Sequence, residues 1–243
     1  METSELSFEL SHPTRLGILR LLAERAERLS RIAEFVRANP SETSRHLERL
    51  SAAGLVEKGS GGLYRTSPSG TLVLALLRGL DALAAQWDYF REHDLSRLPD
   101  HLLARLGDLR RCERIRGTFA IIHHGLETIR RAETSLAFVA NESFFDAVPV
   151  LEEKLRAGIR FRAVVERSFR FPPSVDRPDV RNWRAVPKIP AAVLITEKEA
   201  IVAFPDQKGG LDFSEGLAGT DLVFLRWCED LLVSLWNQGE YLR

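Results

Sequence analysis

The chain has 243 residues, 44% of them hydrophobic, which is enough for one large or two ordinary domains with a true core. Its 34 basic and 34 acidic side chains cancel, so bulk charge marks it for no particular partner. Met1 to Glu5 is not the basic start of a signal peptide, no apolar run approaches a membrane span, and Cys112 and Cys228 make no disulfide framework. A cytoplasmic protein with reduced thiols and no membrane partner is therefore expected.

His12 to Ala26 reads as a first helix, with Leu16, Leu19 and Leu22 in an apolar stripe and Ile18 beside it. Ser30 to Val36 reads as a short second helix that turns Ile32, Ala33 and Val36 inward, and Ala38-Asn39 as a tight turn. Pro40 suits a first helical position, where its missing N–H costs nothing, and Ser41 to Ser44 put short hydroxyls near the opening turn. Leu47 and Leu50 share one face, with Thr43 one turn earlier, and Gly54 is placed to stop the helix in a left-handed conformation. Leu55-Val56 begins a strand, Gly59-Ser60-Gly61-Gly62 is a flexible tip, and Leu63-Tyr64-Arg65-Thr66 returns. A helix that ends at a glycine and runs into a hairpin is the pattern of a winged helix-turn-helix, which points to duplex DNA.

Residues 12–70 resemble the ArsR-like winged-helix regulators of prokaryotes. The resemblance rests on His12-Pro13-Thr14-Arg15 with Ile18-Leu19, on Ser44-Arg45-His46-Leu47 and Leu50, and on Ala53-Gly54-Leu55-Val56. The candidate DNA contacts are Ser41, Glu42, Thr43, Arg45, His46, Arg49, Lys58 and Arg65. Ser41 and Thr43, near the helix N-terminus, suit phosphate. Arg45 and Arg49, one turn apart, suit guanine edges or phosphate. His46 matches the family pattern and reads equally as a phosphate contact or as helix packing. Lys58 and Arg65 flank the wing and suit the backbone or the minor groove. Residues 1–70 hold 10 basic and 9 acidic side chains, so affinity would rest on a few placed residues and on a doubled site. Arginine outnumbers lysine 29 to 5, which favours planar, bidentate contacts.

Pro68-Ser69-Gly70 reads as a break, followed by one helix from Thr71 to Arg91. Along it Val73, Leu76, Leu80, Leu83, Trp87 and Phe90 form a heptad-like seam, either between two copies of the chain or against its own domain. A homodimer would match a two-fold operator. Pro99 to Leu109 reads as a helix with Leu102, Leu103, Leu106 and Leu109 inward. Helices are then expected at Ile121–Arg131, Phe144–Ala157 and from Asp221 through Trp236. Strands are expected at Ser135–Ala140, Ile159–Val165, Ala192–Thr196 and Ala200–Phe204, the last two joined by Glu197-Lys198-Glu199. This alternation implies a C-terminal α/β sandwich domain with a largely parallel sheet. The expected organisation is a winged helix over 1–70, a linking helix over 71–92 and an α/β effector domain over 93–243.

That last segment resembles the effector domain of archaeal methanogenesis-type regulators. The matching residues are His93-Asp94-Leu95, Leu98-Pro99, Leu103, Arg105-Leu106-Gly107, the Phe144–Gly158 helix, Gly210-Leu211-Asp212, and Trp227 with Leu231 and Trp236. The resemblance implies a fold similar to TrmB-type sensor domains and to a phospholipase-D-like sheet.

Phospholipase chemistry needs a histidine two residues before a lysine, and none of the six histidines has one, so no enzyme is expected. Neither cysteine has a Cys or His within a few residues, and the adjacent His123-His124 pair diverges by about 100° on a helix, so no metal or cofactor is expected. No lysine followed by Ser or Thr comes after the glycine-rich tip, so it is no phosphate loop. A sensor pocket near the strand ends would draw on Asn141, Glu142, Glu166 and Arg167, with Trp183 and Asp212 in loops that close over it. The resulting reading is a dimeric DNA-binding transcription regulator that answers to a small molecule. A metal- or redox-responsive repressor on the same plan and a protein-interaction adaptor are the alternatives.

Overall fold

A computed structural model describes residues 2–143, 146–172 and 180–242. The chain forms two compact units, residues 1–78 and 79–243. The sequence reading placed its boundaries at 70 and 92.

The first unit holds α1 (Thr3–Leu10), α2 (Pro13–Glu24), β1 (Glu27–Arg28), α3 (Leu29–Val36), α4 (Pro40–Ala52), β2 (Val56–Lys58) and β3 (Leu63–Thr66). Ile18, Leu19, Ile32, Leu47, Leu50 and Leu55 pack into one core, so the apolar stripes read from the sequence face each other. Asn39 caps α4 by accepting the Glu42 N–H at 2.8 Å, and Pro40 occupies the first turn. Gly54 takes φ +70°, and the Leu55 N–H returns to the Leu50 carbonyl at 2.9 Å, closing the helix. The strands form an antiparallel sheet in the order β1-β3-β2, a three-stranded wing where a two-stranded one was expected.

α1 was not anticipated. None of its residues is buried, so periodicity cannot reveal it. It is tied down by Arg15, buried at the start of α2. Its guanidinium donates to the Phe8 and Glu9 carbonyls at 2.6 and 2.8 Å and pairs with the Glu9 carboxylate at 3.0 Å. These are carbonyls of the last helical turn, which have no partner within the helix.

Pro68-Ser69-Gly70 corrects the sequence reading, because it opens a helix rather than breaking the chain. α5 spans Pro68–Ala85. The Ser67 hydroxyl accepts the Gly70 N–H at 3.0 Å and donates to the Gly54 carbonyl at 2.6 Å. A β-carbon at Gly70 would lie 2.2 Å from the Leu55 carbonyl oxygen, so only glycine lets the helix start so close to the wing. The single helix expected to Arg91 is interrupted at Gln86, and α6 follows at Trp87–Glu92. α5 is also long and apolar enough, by length and composition, to cross a membrane, which corrects the expectation that no segment is. Arg78 and Asp81 lie within it, and charges inside a span are costly.

The second unit continues with α7 (Asp100–Leu103), a 3-10 turn at Leu106–Arg110, β4 (Glu113–Arg116), α8 (Thr118–Arg131) and β5 (Ser135–Ala140). Next come α9 (Ala147–Arg156), β6 (Arg160–Glu166), β7 (Trp183–Val186), β8 (Ala192–Thr196) and β9 (Ala200–Ala203). The unit closes with β10 (Glu215–Gly219), α10 (Leu222–Gln238) and β11 (Glu240–Tyr241). The expected helix over Pro99–Leu109 is therefore a short helix and a 3-10 turn, with Leu103 exposed rather than inward. The expected start of the α9 helix at Phe144 lies outside the described residues. Among the described residues the strands form one eight-stranded sheet, β11-β7-β6-β5-β8-β9-β10-β4.

The sheet is mixed, not largely parallel. Only β5–β6 and β6–β7 run parallel, and the β5–β6 crossover contains α9. The β8–β9 connection is only Glu197-Lys198-Glu199, too short for a crossover, so those strands are antiparallel. One sheet face packs Val139, Val164, Val193 and Val202 against Phe224, Trp227 and Leu231 of α10. The other carries Leu136, Phe161 and Trp183, with Phe138 and Leu194 beside them, under α8 and α9. The architecture is thus a winged helix-turn-helix followed by a mixed α/β domain.

Candidate nucleic-acid interface

Thr43, His46, Leu47 and Leu50 form the buried face of α4, which leaves Ser41, Glu42, Arg45, Glu48 and Arg49 on the outer face. Thr43 is fully buried and its hydroxyl donates to the Asn39 carbonyl at 2.9 Å, so the expectation that it meets phosphate is corrected. His46 is buried too, with its ring 4.5 Å from that of His12, and the packing reading is the one its place fits. Burial, with His12 and Arg15 close by, holds the His46 imidazole below its ordinary value and so neutral. His12 in turn caps α2, accepting the Thr14 N–H at 3.2 Å.

The two arginines one turn apart differ in their surroundings. Arg49 pairs with Glu9 and lies 5.1 Å over the Phe8 ring, which fastens α4 to α1. The Arg49 guanidinium, with Arg15 beside it, holds the Glu9 carboxyl below its ordinary value. Arg45 is exposed and, among the described residues, carries no ion pair or hydrogen bond. On the wing, Arg65 pairs with Glu57 at 3.0 Å, while Lys58 lies 5.5 Å from the Tyr64 ring centre. Gly61 and Gly62 take φ +73° and +75° at the tip.

Arg37 was missed. It sits in the turn before α4 with φ 53°, exposed and without an ion pair among the described residues. No spacing rule marks such a residue, since its place follows from the left-handed end of α3. Together Arg37, Arg45 and Lys58 put unpaired positive charge on the turn, the outer face of α4 and the wing.

Residues 12–58 match the bacterial regulatory protein, arsR family. The match covers α2 to β2 of the first unit, its helix-turn-helix and the first wing strand. Helix-turn-helix domains of this family are DNA-binding modules of transcription regulation. No curated protein matches the chain. Among solved structures, the archaeal chromatin protein TrmBL2, described as binding DNA in a novel mode, is 13% identical with a TM-score of 0.44 over 98% of this chain and 100% of that one. The phospholipase D family member Nuc from Salmonella typhimurium is 15% identical at 0.39, over 50% of this chain and 90% of that one. HmgR of Pseudomonas aeruginosa is 18% identical at 0.30, over 94% and 96%.

The six residues expected at a sensor pocket are dispersed. Glu142 and Trp183 line one apolar cavity of the second unit. The Asn141 Oδ1 is buried at the end of β5 without a hydrogen-bond partner. Glu166 is buried against Lys188 at 3.1 Å and accepts the Ile189 N–H, and Arg167 pairs with Glu240 at 3.1 Å. Asp212 meets the His93 Nε2 at 3.3 Å; burial works against its charge, but the Ser214 bonds and His93 hold its carboxyl below the ordinary value. These three serve structural pairs. Among the described residues no three of His, Cys, Asp and Glu cluster as metal ligands. Burial pushes the Cys112 thiol up to about 11 and Cys228 higher still, which makes both poor nucleophiles at neutral pH.

Proposed function

We propose that the chain is a dimeric transcription regulator whose second unit senses a small molecule. The observation that carries the DNA-reading half is the outer face of α4, where Ser41, Glu42 and Arg45 stay exposed while Leu47 and Leu50 are turned inward. The dimer rests on α5. Leu72, Leu76 and Leu80 lie one turn apart and are 61%, 73% and 60% exposed, a stripe that water disfavours and a second copy would cover. Two copies would place two α4 helices on half-sites about one helical turn apart. The second unit is assigned no catalytic step, because no histidine stands two residues before a lysine.

Selection of bound sequences from a random duplex pool tests this reading. A two-fold motif with half-sites about one turn apart is expected. Absence of enrichment with both empty and ligand-supplemented protein would move the winged helix to protein contacts.

A further inference from the structure

We propose that the cavity between the sheet and helices α8 and α9 binds a neutral or cationic aromatic small molecule. Its volume is about 520 Å³, within the range of sites built for small ligands. The cavity opens to solvent beside Glu142 and Glu152 and is lined mostly by apolar and aromatic side chains, the composition of small-molecule sites.

Sequence and register explain why the space exists. Phe138 pairs with Leu194 and Leu194 with Ile201, so the three share one face of the sheet. The helices above cannot fill the gap. α9 buries none of its residues, and α8 presents Gly125, where a β-carbon would meet only Leu194 at 3.7 Å. The walls are aromatic. Trp183 has ring neighbours Phe138, Phe161, Phe169 and Phe171 at 5.3, 5.6, 5.8 and 4.9 Å, and the Phe138 and Phe171 contacts are edge-on. A flat ring system finds both stacking and edge contacts there.

Charge sets the second half of the inference. Among the described residues, the ionisable ones lining the cavity are Glu142 and Glu152, both exposed, and none is a Lys, Arg or His. An anionic ligand would lose its hydration with no counter-charge in return, whereas a neutral or positively charged group suits the two carboxylates. Ser143 and Asn182 add polar groups beside them. Acidic ligands such as fatty acids or phosphorylated sugars are disfavoured by the same reasoning.

The effect of such a ligand on DNA rests on the regulator reading, but its binding does not. The test therefore uses the full chain and two probes with the same ring system, neutral N-phenyl-1-naphthylamine and anionic 1-anilinonaphthalene-8-sulfonate, followed by fluorescence. Saturable binding of one neutral probe per chain is expected, with the sulfonate at least about tenfold weaker. Gly125→Phe, which fills the cavity from α8, should weaken the neutral probe at least about tenfold while the far-ultraviolet circular dichroism is unchanged. Should that variant fail to fold, Leu151→Trp fills the same space from α9. Equal affinity for the two probes overturns the charge assignment, and equal affinity of filled and unfilled proteins overturns the site. Operator binding measured on the same preparations separates this failure from failure of the regulator reading.

Discussion

At the scale of single residues, what a side chain can do for DNA depends on whether a neighbour has already engaged it. Arg45 and Arg49 share a helix face, yet Glu9 holds one and none of the described residues holds the other. Arg45→Ala is expected to weaken specific binding by about 1–3 kcal/mol and to relax base preference at one position of each half-site. Equal losses on specific and random duplexes, measured by titration, would reassign Arg45 to phosphate. In the second unit Glu197 shows the same logic for stability. Burial alone would raise its pKa, but the N–H groups of Glu133, Thr134 and Ser135 converge on its carboxylate and pull it down to about 2, from an ordinary 4.5. A depressed carboxyl contributes stability above its unfolded value, and that contribution is lost as pH falls from about 4.5 toward 2. Glu197→Gln should therefore cost roughly 1–3 kcal/mol near neutral pH, with the deficit shrinking toward about pH 3. All four tryptophans lie in the second unit, so urea denaturation followed by their fluorescence reports it. A deficit that does not change with pH would refute the assignment.

At the scale of elements, α5 tests the dimer. The heptad-like seam read from the sequence combines two faces of the helix. Val73 packs into the first unit and Leu83 against the core of the second, whereas Leu76 and Leu80 remain exposed alongside Leu72. Leu76→Glu combined with Leu80→Glu should halve the mass seen in sedimentation and lower operator affinity, with circular dichroism unchanged. A wild-type chain that sediments as a monomer at micromolar concentration would remove the dimer. The same comparison shows what local sequence carries. The winged helix was legible because Pro40, Gly54 and the paired tip glycines mark boundaries that backbone sterics impose locally. α1 and β1 were not, since one depends on a buried arginine five residues beyond its end and the other on pairing with Leu63 and Tyr64 far along the chain. The outer face of α4 followed from the spacing of Leu47 and Leu50. Thr43 lay on the inner face by that same spacing, and only its polar side chain argued otherwise. Sheet direction depends on which strands meet across the fold, which alternation along the chain does not specify.

At the scale of the whole molecule, zero net charge limits how the protein can hold DNA. Salt dependence counts the phosphates that a protein neutralises, because each displaces condensed counterions. In the first unit Arg49 and Arg65 are engaged by Glu9 and Glu57. Arg28 is exposed and unpaired among the described residues as well, but Arg37, Arg45 and Lys58, on the turn, on α4 and at the wing tip, would be the cations that face phosphate or base edges. A dimer would then neutralise about six phosphates, and log K should fall with log salt at a slope of about −5. A much steeper slope would mean that the Glu9–Arg49 and Glu57–Arg65 pairs open on binding and release their guanidiniums to the backbone. Glu9→Gln separates the two cases. With the pairs intact in the complex it frees Arg49 and steepens the slope, whereas with the pairs already open it leaves the slope where it was. A slope near zero, with no measurable affinity even at low salt, would instead leave the only weakly basic surface of the first unit to a protein partner.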